Sequence, residues 1–501
     1  MKRKDFFSAV CGTLALAAVP NVFAVKKRPN VLIIHTDQQA NWTLSVYGGK
    51  LVGTPNLDSI GREGAVFGSF FTNAAMCTPS RGSFMSGLHP SSHGAVVNGI
   101  PMRSTVETFA HVLAKNGYDT GYAGKWHLHG DDSPGVLNDV TAMGFNDHAN
   151  MWNSGHFKTI KQNADGTLAQ SNREGREVGD EKSYTTDYLA DRTIEFMRKP
   201  RSNSFCFMVS FPDPHTPFSV RKPYDKMFKA DDMPLPVSFV ENGGSTEENY
   251  DKGDRGIPTE NEGKGGRKAR TANGLKLGKH AMVSADYVKR SKALYCGMMK
   301  CIDDNVGKII TAMKAAGIYD DTIIIHSSDH GEMMGEHGRM HKGVPYQTAY
   351  RVPFLMRYPS LIRPGTVVDQ VMSTADFKPT LLSMLGLSGA QKDEGFDRSG
   401  LCTGGTVQGP HEMHIQFIRT EDSGHAGIVT GQYLLAYMYD GKTIRPESTF
   451  FYDRIKDPEF MTNLFGTDRY LSIAPALLTR MKEKHAAMRS PQSALLETIR
   501  I

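Results

Sequence analysis

Short apolar runs rich in β-branched or aromatic residues recur along the chain and alternate with segments of helical character. Runs that are apolar at consecutive positions suit strands covered on both faces, so the alternation predicts a mostly parallel sheet flanked by helices, an α/β architecture. Four runs end in polar residues. Val31-Leu32-Ile33-Ile34 leads to Asp37 and Gln38, and Thr322-Ile323-Ile324-Ile325 leads to Asp329 and His330. Phe205-Cys206-Phe207-Met208-Val209 leads to His215, and residues 118–123 lead to Lys125 and His127. Ligands of open α/β sheets bind outside the carboxyl ends of the strands, so these four ends are expected to converge on one pocket.

The pattern breaks in two places. Residues 241–280 are rich in Gly and charge without apolar periodicity, acidic first and basic later, which reads as a solvated insertion. After residue 400 short strands (414–417 and 427–439) and a helix (473–488) predict a smaller α+β domain with a short antiparallel sheet, residues 401–501. The Gly-rich stretch 399–409 marks the boundary with a larger domain over 25–400, and a chain of 501 residues exceeds what one core usually organises.

Residues 1–24 read as a cleaved signal peptide: Lys2-Arg3-Lys4, an apolar stretch, then Val22-Phe23-Ala24 with small residues where a signal peptidase reads them. The expected location is periplasmic or secreted, and the apolar stretch is too short for a stable membrane span. Cleavage removes Lys2, Arg3 and Lys4 against Asp5, lowering the formal charge from +5 to +3, too mild for a nucleic-acid partner but suited to an anionic substrate. Five cysteines remain in the mature chain, an odd number, so at least one does something other than pair.

Cys77-Thr78-Pro79-Ser80-Arg81 is the most informative stretch. Thr78 suits a helix cap and Pro79 the first helical position, placing Cys77 at a helix N-terminus, where backbone N–H groups favour an anion. Cys77-x-Pro79-Ser80-Arg81-Gly82 resembles the signature of the formylglycine-dependent (type I) sulfatases of the alkaline phosphatase-like superfamily. Further stretches resemble that family's blocks in the same order: Asn30 to Gln38, Thr54-Pro55-Asn56-Leu57-Asp58, Gly124-Lys125-Trp126-His127-Leu128, Pro214-His215-Thr216-Pro217-Phe218, Ser328-Asp329-His330-Gly331-Glu332 and His341-Lys342.

The resemblance implies an alkaline phosphatase-like sandwich and hydrolysis of sulfate esters. It implies oxidation of Cys77 to formylglycine by a maturation enzyme, and a bound divalent cation, calcium first and manganese as the alternative. Asp37, Gln38, Asp329 and His330 would hold the cation together with modified Cys77. Arg81 would steady the hydrated aldehyde, Lys125 and Lys342 would meet sulfate oxygens, His215 would bind sulfate or protonate the leaving alcohol, and His127 would act as base. His93, Asn98 and Arg351 are weaker candidates for substrate contact. Gln38 departs from the second aspartate of many sulfatases, and His330 from the asparagine of other branches. Both keep a phosphonate monoester hydrolase or phosphodiesterase of the same superfamily as the alternative, ahead of a catalytically dead glycan-binding protein. The positive charge and expected export favour a sulfated saccharide as substrate, such as a glycosaminoglycan, mucin or algal glycan.

Overall fold

The computed structural model describes residues 28–130, 143–162, 168–170, 177–239, 284–407, 409–441 and 443–501. The expected signal peptide and the charged insertion lie outside the described residues.

The four apolar runs become neighbouring strands of an eight-stranded sheet. Its order is Thr366–Val368, Ala65–Phe67, Phe354–Arg357, Thr322–Ser328, Asn30–Thr36, Phe205–Phe211, Asp119–Lys125, Asp147–Trp152. Phe354–Arg357 runs antiparallel to both neighbours, and the other pairs are parallel. Register sets the site. Thr36 stands opposite Phe211 on one side and Ser328 on the other, and Gly124 opposite Ser210, so the four chain ends emerge level at one edge.

Alternate residues of the central strands feed two cores, the reason their apolar runs are continuous rather than alternating. Leu32, Ile34, Phe207, Val209 and Ile324 pack on one face with the helices Thr185–Arg198 and Ala285–Ala315. Val31, Ile33, Met208, Ile323 and Ile325 pack on the other with Phe84, Phe109 and Phe377. Each such side chain contributes about 1.5–3 kcal/mol on burial, so the strands that carry the site are held from both sides. No described helix is long and apolar enough to cross a membrane.

A second, antiparallel sheet of four strands follows: Met413–Thr420, Ser423–Val429, Tyr433–Asp440 and Thr443–Asp453, with the helix Asp468–Ala487 packed on it. The expected single strand over 427–439 is two strands here. Thr430 interrupts it, its N–H donating to the Tyr433 carbonyl at 2.8 Å across a reversal centred on Gly431. Asn73, just after the short strand Phe70–Phe71 that pairs with Met372–Ser373, is joined to the first strand of this sheet. Its amide nitrogen donates to the His414 carbonyl (3.2 Å), its carbonyl accepts the Gln416 N–H (2.8 Å), and its side-chain oxygen accepts from Thr374 Oγ1 (2.9 Å).

Candidate active site

The helix that bears Cys77 begins earlier than its sequence signals suggest. It spans Cys77–Ser86 and follows Met76, which is extended, so Pro79 falls within the first turn, where a missing N–H costs nothing. Capping comes from elsewhere in the fold: Asn98 Oδ1 accepts the Thr78 N–H at 3.1 Å, and Thr78 Oγ1 donates to the His127 carbonyl at 2.9 Å. Behind the helix His93 is fully buried, its Nε2 3.2 Å from the Pro79 carbonyl. Gly82 makes this possible, because a Cβ there would lie 2.4 Å from His93 Cε1. Asn98 and His93, both expected to reach substrate, here meet the Cys77 helix, Asn98 through its side-chain oxygen and His93 from behind it.

Arg81, one turn on from Cys77, points into the cluster of strand ends. Its Nε donates to Asp329 Oδ2 (2.9 Å), one terminal nitrogen to Asp37 Oδ2 (3.2 Å), and the other to Ser210 Oγ and the Lys125 carbonyl (both 2.8 Å). A planar guanidinium thus fixes two carboxylates that would otherwise repel each other. Cys77 Sγ lies 3.8 Å from Asp37 Oδ1 and 3.1 Å from His330 Nε2. Asp37, Cys77, Asp329 and His330 each offer a ligand atom, all within 4.8 Å of one another and all buried.

The electrostatics of this cluster follow from its geometry. Burial opposes ionisation of Asp37, but the Lys125 ammonium, with His215, His156 and Arg81, outweighs it and holds the carboxyl well below its usual range. The same ion pair, 2.6 Å long, keeps Lys125 protonated against full burial. Burial brings His330 down to about 4, leaving a neutral imidazole.

Lys342 reaches the site from a loop. Its Nζ donates to Gln38 Oε1 and lies 2.9 Å from His215 Nε2. Gln38 sits in the left-handed region (φ 66°), a strained conformation for a non-glycine residue. It is clamped there: its N–H donates to Asp329 Oδ1 (3.0 Å), its carbonyl accepts from Tyr295 OH (2.6 Å), and its amide nitrogen donates to Glu332 Oε2 (2.5 Å). The side-chain oxygen expected to face a cation is engaged by Lys342. His127 (φ 61°) and His341 (φ 68°) share the same backbone conformation. Arg351 lines a cleft of about 220 Å³ together with Trp42, Tyr47, Glu336 and Glu459.

Two groups in the site escape the reading of the sequence. His156 Nε2 lies 2.7 Å from Lys125 Nζ, and its ring stacks on His215 with centroids 3.7 Å apart. It follows the strand Asp147–Trp152, whose Asp-His-Ala-Asn-Met-Trp sequence lacks the β-branched run that marks the other four. Glu332, fully buried, stands within the Ser328–Glu332 block, but its position at a strand-end turn gives no sign that it would receive Gln38.

A sequence model of the Sulfatase family matches residues 29–387, and one for the C-terminal part of N-sulphoglucosamine sulphohydrolase matches residues 335–487. An arylsulfatase from Clostridium perfringens is 28% identical over 468 residues, covering 88% of this chain and 91% of its own. An N-acetylglucosamine-6-O-sulfatase from Bacteroides thetaiotaomicron is 25% identical over 508 residues, covering 91% and 86%. The crystal structure of yidJ from Bacteroides fragilis, assigned as a sulfatase, superposes with a TM-score of 0.74 at 23% identity, covering 95% of this chain and 98% of that one, which supports the fold. With the family model spanning every strand that feeds the Cys77 cluster, the chain belongs to the type I sulfatases of the alkaline phosphatase-like superfamily and is a sulfuric ester hydrolase.

Proposed function

We propose that this sulfatase is exported and removes sulfate from a sulfated carbohydrate, with Cys77 in its formylglycine form beside a divalent cation. The observation that carries the reading is the convergence of Cys77, Asp37, Asp329 and His330 between two buried or half-buried lysines. The similarity to an N-acetylglucosamine-6-O-sulfatase over most of both chains supports a sugar sulfate, as does the positive charge of the chain.

The donor set fits a cation. Two carboxylates supply hard oxygens for calcium, and the imidazole of His330 also admits manganese. Asp37, Asp329, His330 and modified Cys77 would hold it, with Gln38 adjoining through its side-chain oxygen. Bound there, the cation supplies positive charge that polarises oxygen. The chain's own groups do the rest. Arg81 holds Asp37 and Asp329 in place, and Lys125 and Lys342 offer fixed positive charge to sulfate oxygens as charge develops. His215 presents Nε2 toward the same space, and His127 is held near the Cys77 helix by the bond between its carbonyl and Thr78.

The test is sulfate release from a panel of sulfated mono- and disaccharides, N-acetylglucosamine 6-sulfate among them, run beside an aryl phosphonate. Release from at least one sugar sulfate, with mass spectrometry showing an aldehyde in the Cys77 peptide, is the expected result. Faster turnover of the phosphonate, the reaction Gln38 keeps open, or an unmodified thiol in active enzyme overturns the reading.

A further inference from the structure

The two lysines of the site are held alike. Lys125 Nζ donates to Asp37 Oδ2 at 2.6 Å and to His156 Nε2 at 2.7 Å. Lys342 Nζ donates to Gln38 Oε1 and to His215 Nε2, the latter at 2.9 Å. An ammonium has donors only, so both imidazole nitrogens must be acceptors, and both rings are neutral in this arrangement. His215 Nδ1, 2.6 Å from the Thr216 carbonyl, carries its proton, and the two rings lie stacked, 7° from parallel. Among the described residues each ammonium spends two N–H groups on fixed acceptors, which leaves a third for an anion.

Asp37, His156 and His215 could be taken for a second metal site, since their donor atoms lie within 4.8 Å of one another. Lys125 already bridges two of the three and Lys342 occupies the third. Two ammonium charges at contact distance repel a further divalent ion, so the trio is a cage for lysines.

We propose that His156 is a positioning residue for sulfate binding: it fixes Lys125 from one side as Asp37 does from the other, and braces His215 through the ring stack. A lysine has four rotatable bonds and a point charge, so one acceptor leaves its ammonium free to swing about Asp37. The second acceptor aims the remaining N–H. The inference rests on the reading of Lys125 and Lys342 as sulfate-facing groups.

Three variants separate the two contacts of His156. His156→Gln keeps an acceptor near the position of Nε2 and loses the stack, His156→Phe keeps the stack and loses the acceptor, and His156→Ala loses both. Loss of a charge-assisted hydrogen bond is expected to lower kcat/KM about 10–100-fold in His156→Phe and His156→Ala, with KM raised as well as kcat lowered, and His156→Gln within about 5-fold of the natural enzyme. Inorganic sulfate binding, followed by calorimetry on the matured, metal-loaded protein, needs no turnover and should weaken in the same order. Comparing Gln with Phe cancels any general cost of substitution, and melting temperatures check the fold of each. If no sugar sulfate is turned over while sulfate binding keeps this order, only the substrate reading falls. Equal sulfate binding and equal kcat/KM in the Gln and Phe variants, or a Phe variant as active as the natural enzyme, overturns the role of His156.

Discussion

His330 turns one nitrogen to Cys77 and the other to its own backbone: Nε2 lies 3.1 Å from Cys77 Sγ, and Nδ1 lies 3.1 Å from the Gly331 carbonyl. A carbonyl can only accept, so the proton sits on Nδ1 and the Nε2 lone pair faces the cluster of Cys77, Asp37 and Asp329. Neutral imidazole, oriented by a second hydrogen bond, is the form that binds metals. Dialysis against a chelator is therefore expected to abolish sulfate release, and calcium or manganese to restore it. His330→Ala should need at least about 10-fold more metal for half-maximal recovery. Full activity after exhaustive chelation, with metal content verified by elemental analysis, would contradict the assignment.

Gly82 gives a prediction whose sign is decided by two opposed magnitudes. Alanine is favoured over glycine in a helix interior by about 1 kcal/mol, which on propensity alone makes Gly82→Ala stabilising. The added Cβ, however, would lie 2.4 Å from His93 Cε1, inside a ring that is fully buried and bonded to Pro79. Overpacking costs about 1–3 kcal/mol, and the ring has no room to retreat. We expect a lower melting temperature and reduced kcat/KM, since the helix carries both Cys77 and Arg81. A variant that melts higher than the natural chain would show that His93 can move.

The parts of this molecule that are legible in the sequence are those governed by local rules. Strands buried on both faces announce themselves by continuous apolar runs, and the ends of four of them supply Asp37, Lys125, His215 and Asp329 to one edge. The start of the Cys77 helix is misread because its cap is Asn98, a residue distant along the chain. His156 is silent because the strand before it, Asp147–Trp152, is paired on one side only among the described residues and has an ordinary polar composition. The engagement of Gln38 Oε1 by Lys342 joins positions 304 residues apart, and no local pattern encodes it.

Acid is expected to weaken the fold before it reaches the carboxylates of the site. His93 and His485 are fully buried, and burial, reinforced or opposed by smaller neighbours, brings each down to about 3; His326 comes down to about 4 by the same cause. An unfolded chain binds protons at such histidines near pH 6.5, the native chain only near pH 3–4, so stability is complete above about 6.5 and falls as pH drops toward 4. Each buried neutral histidine costs about 1.4 kcal/mol per pH unit within that window. Asp37, held low, contributes stability that is complete above the ordinary carboxylate range and is lost as pH falls from there to its depressed value, at still lower pH than the histidine window. Thermal melts at pH 7.5, 5.5 and 4.5 should show a progressive decline, and a melting temperature unchanged at pH 4.5 would refute it.

Glu332 joins Gln38, beside the Cys77 cluster, to the turn that carries Lys342. Its carboxylate accepts the Gln38 side-chain amide at 2.5 Å and the backbone N–H groups of His341 (2.6 Å) and Met334 (2.9 Å), the turn that delivers Lys342. The carboxylate is fully buried, and although burial opposes its charge, the contacts with His341 and the two backbone donors hold it ionised, below its usual range. Glu332→Ala strips three buried donors of their acceptor at once, with each unpaired group costing about 1–3 kcal/mol, so a loss of about 3 kcal/mol or more is expected. Activity should fall further than stability explains, because Gln38 is then free to rotate and Lys342 loses the acceptor that orients it. Glu332→Gln restores one acceptor oxygen but turns an N–H₂ group toward donors, so it should recover part of the stability and little of the activity. Measuring kcat/KM well below each variant's melting temperature separates the two effects. Activity that tracks the folded fraction alone would reduce Glu332 to a structural residue.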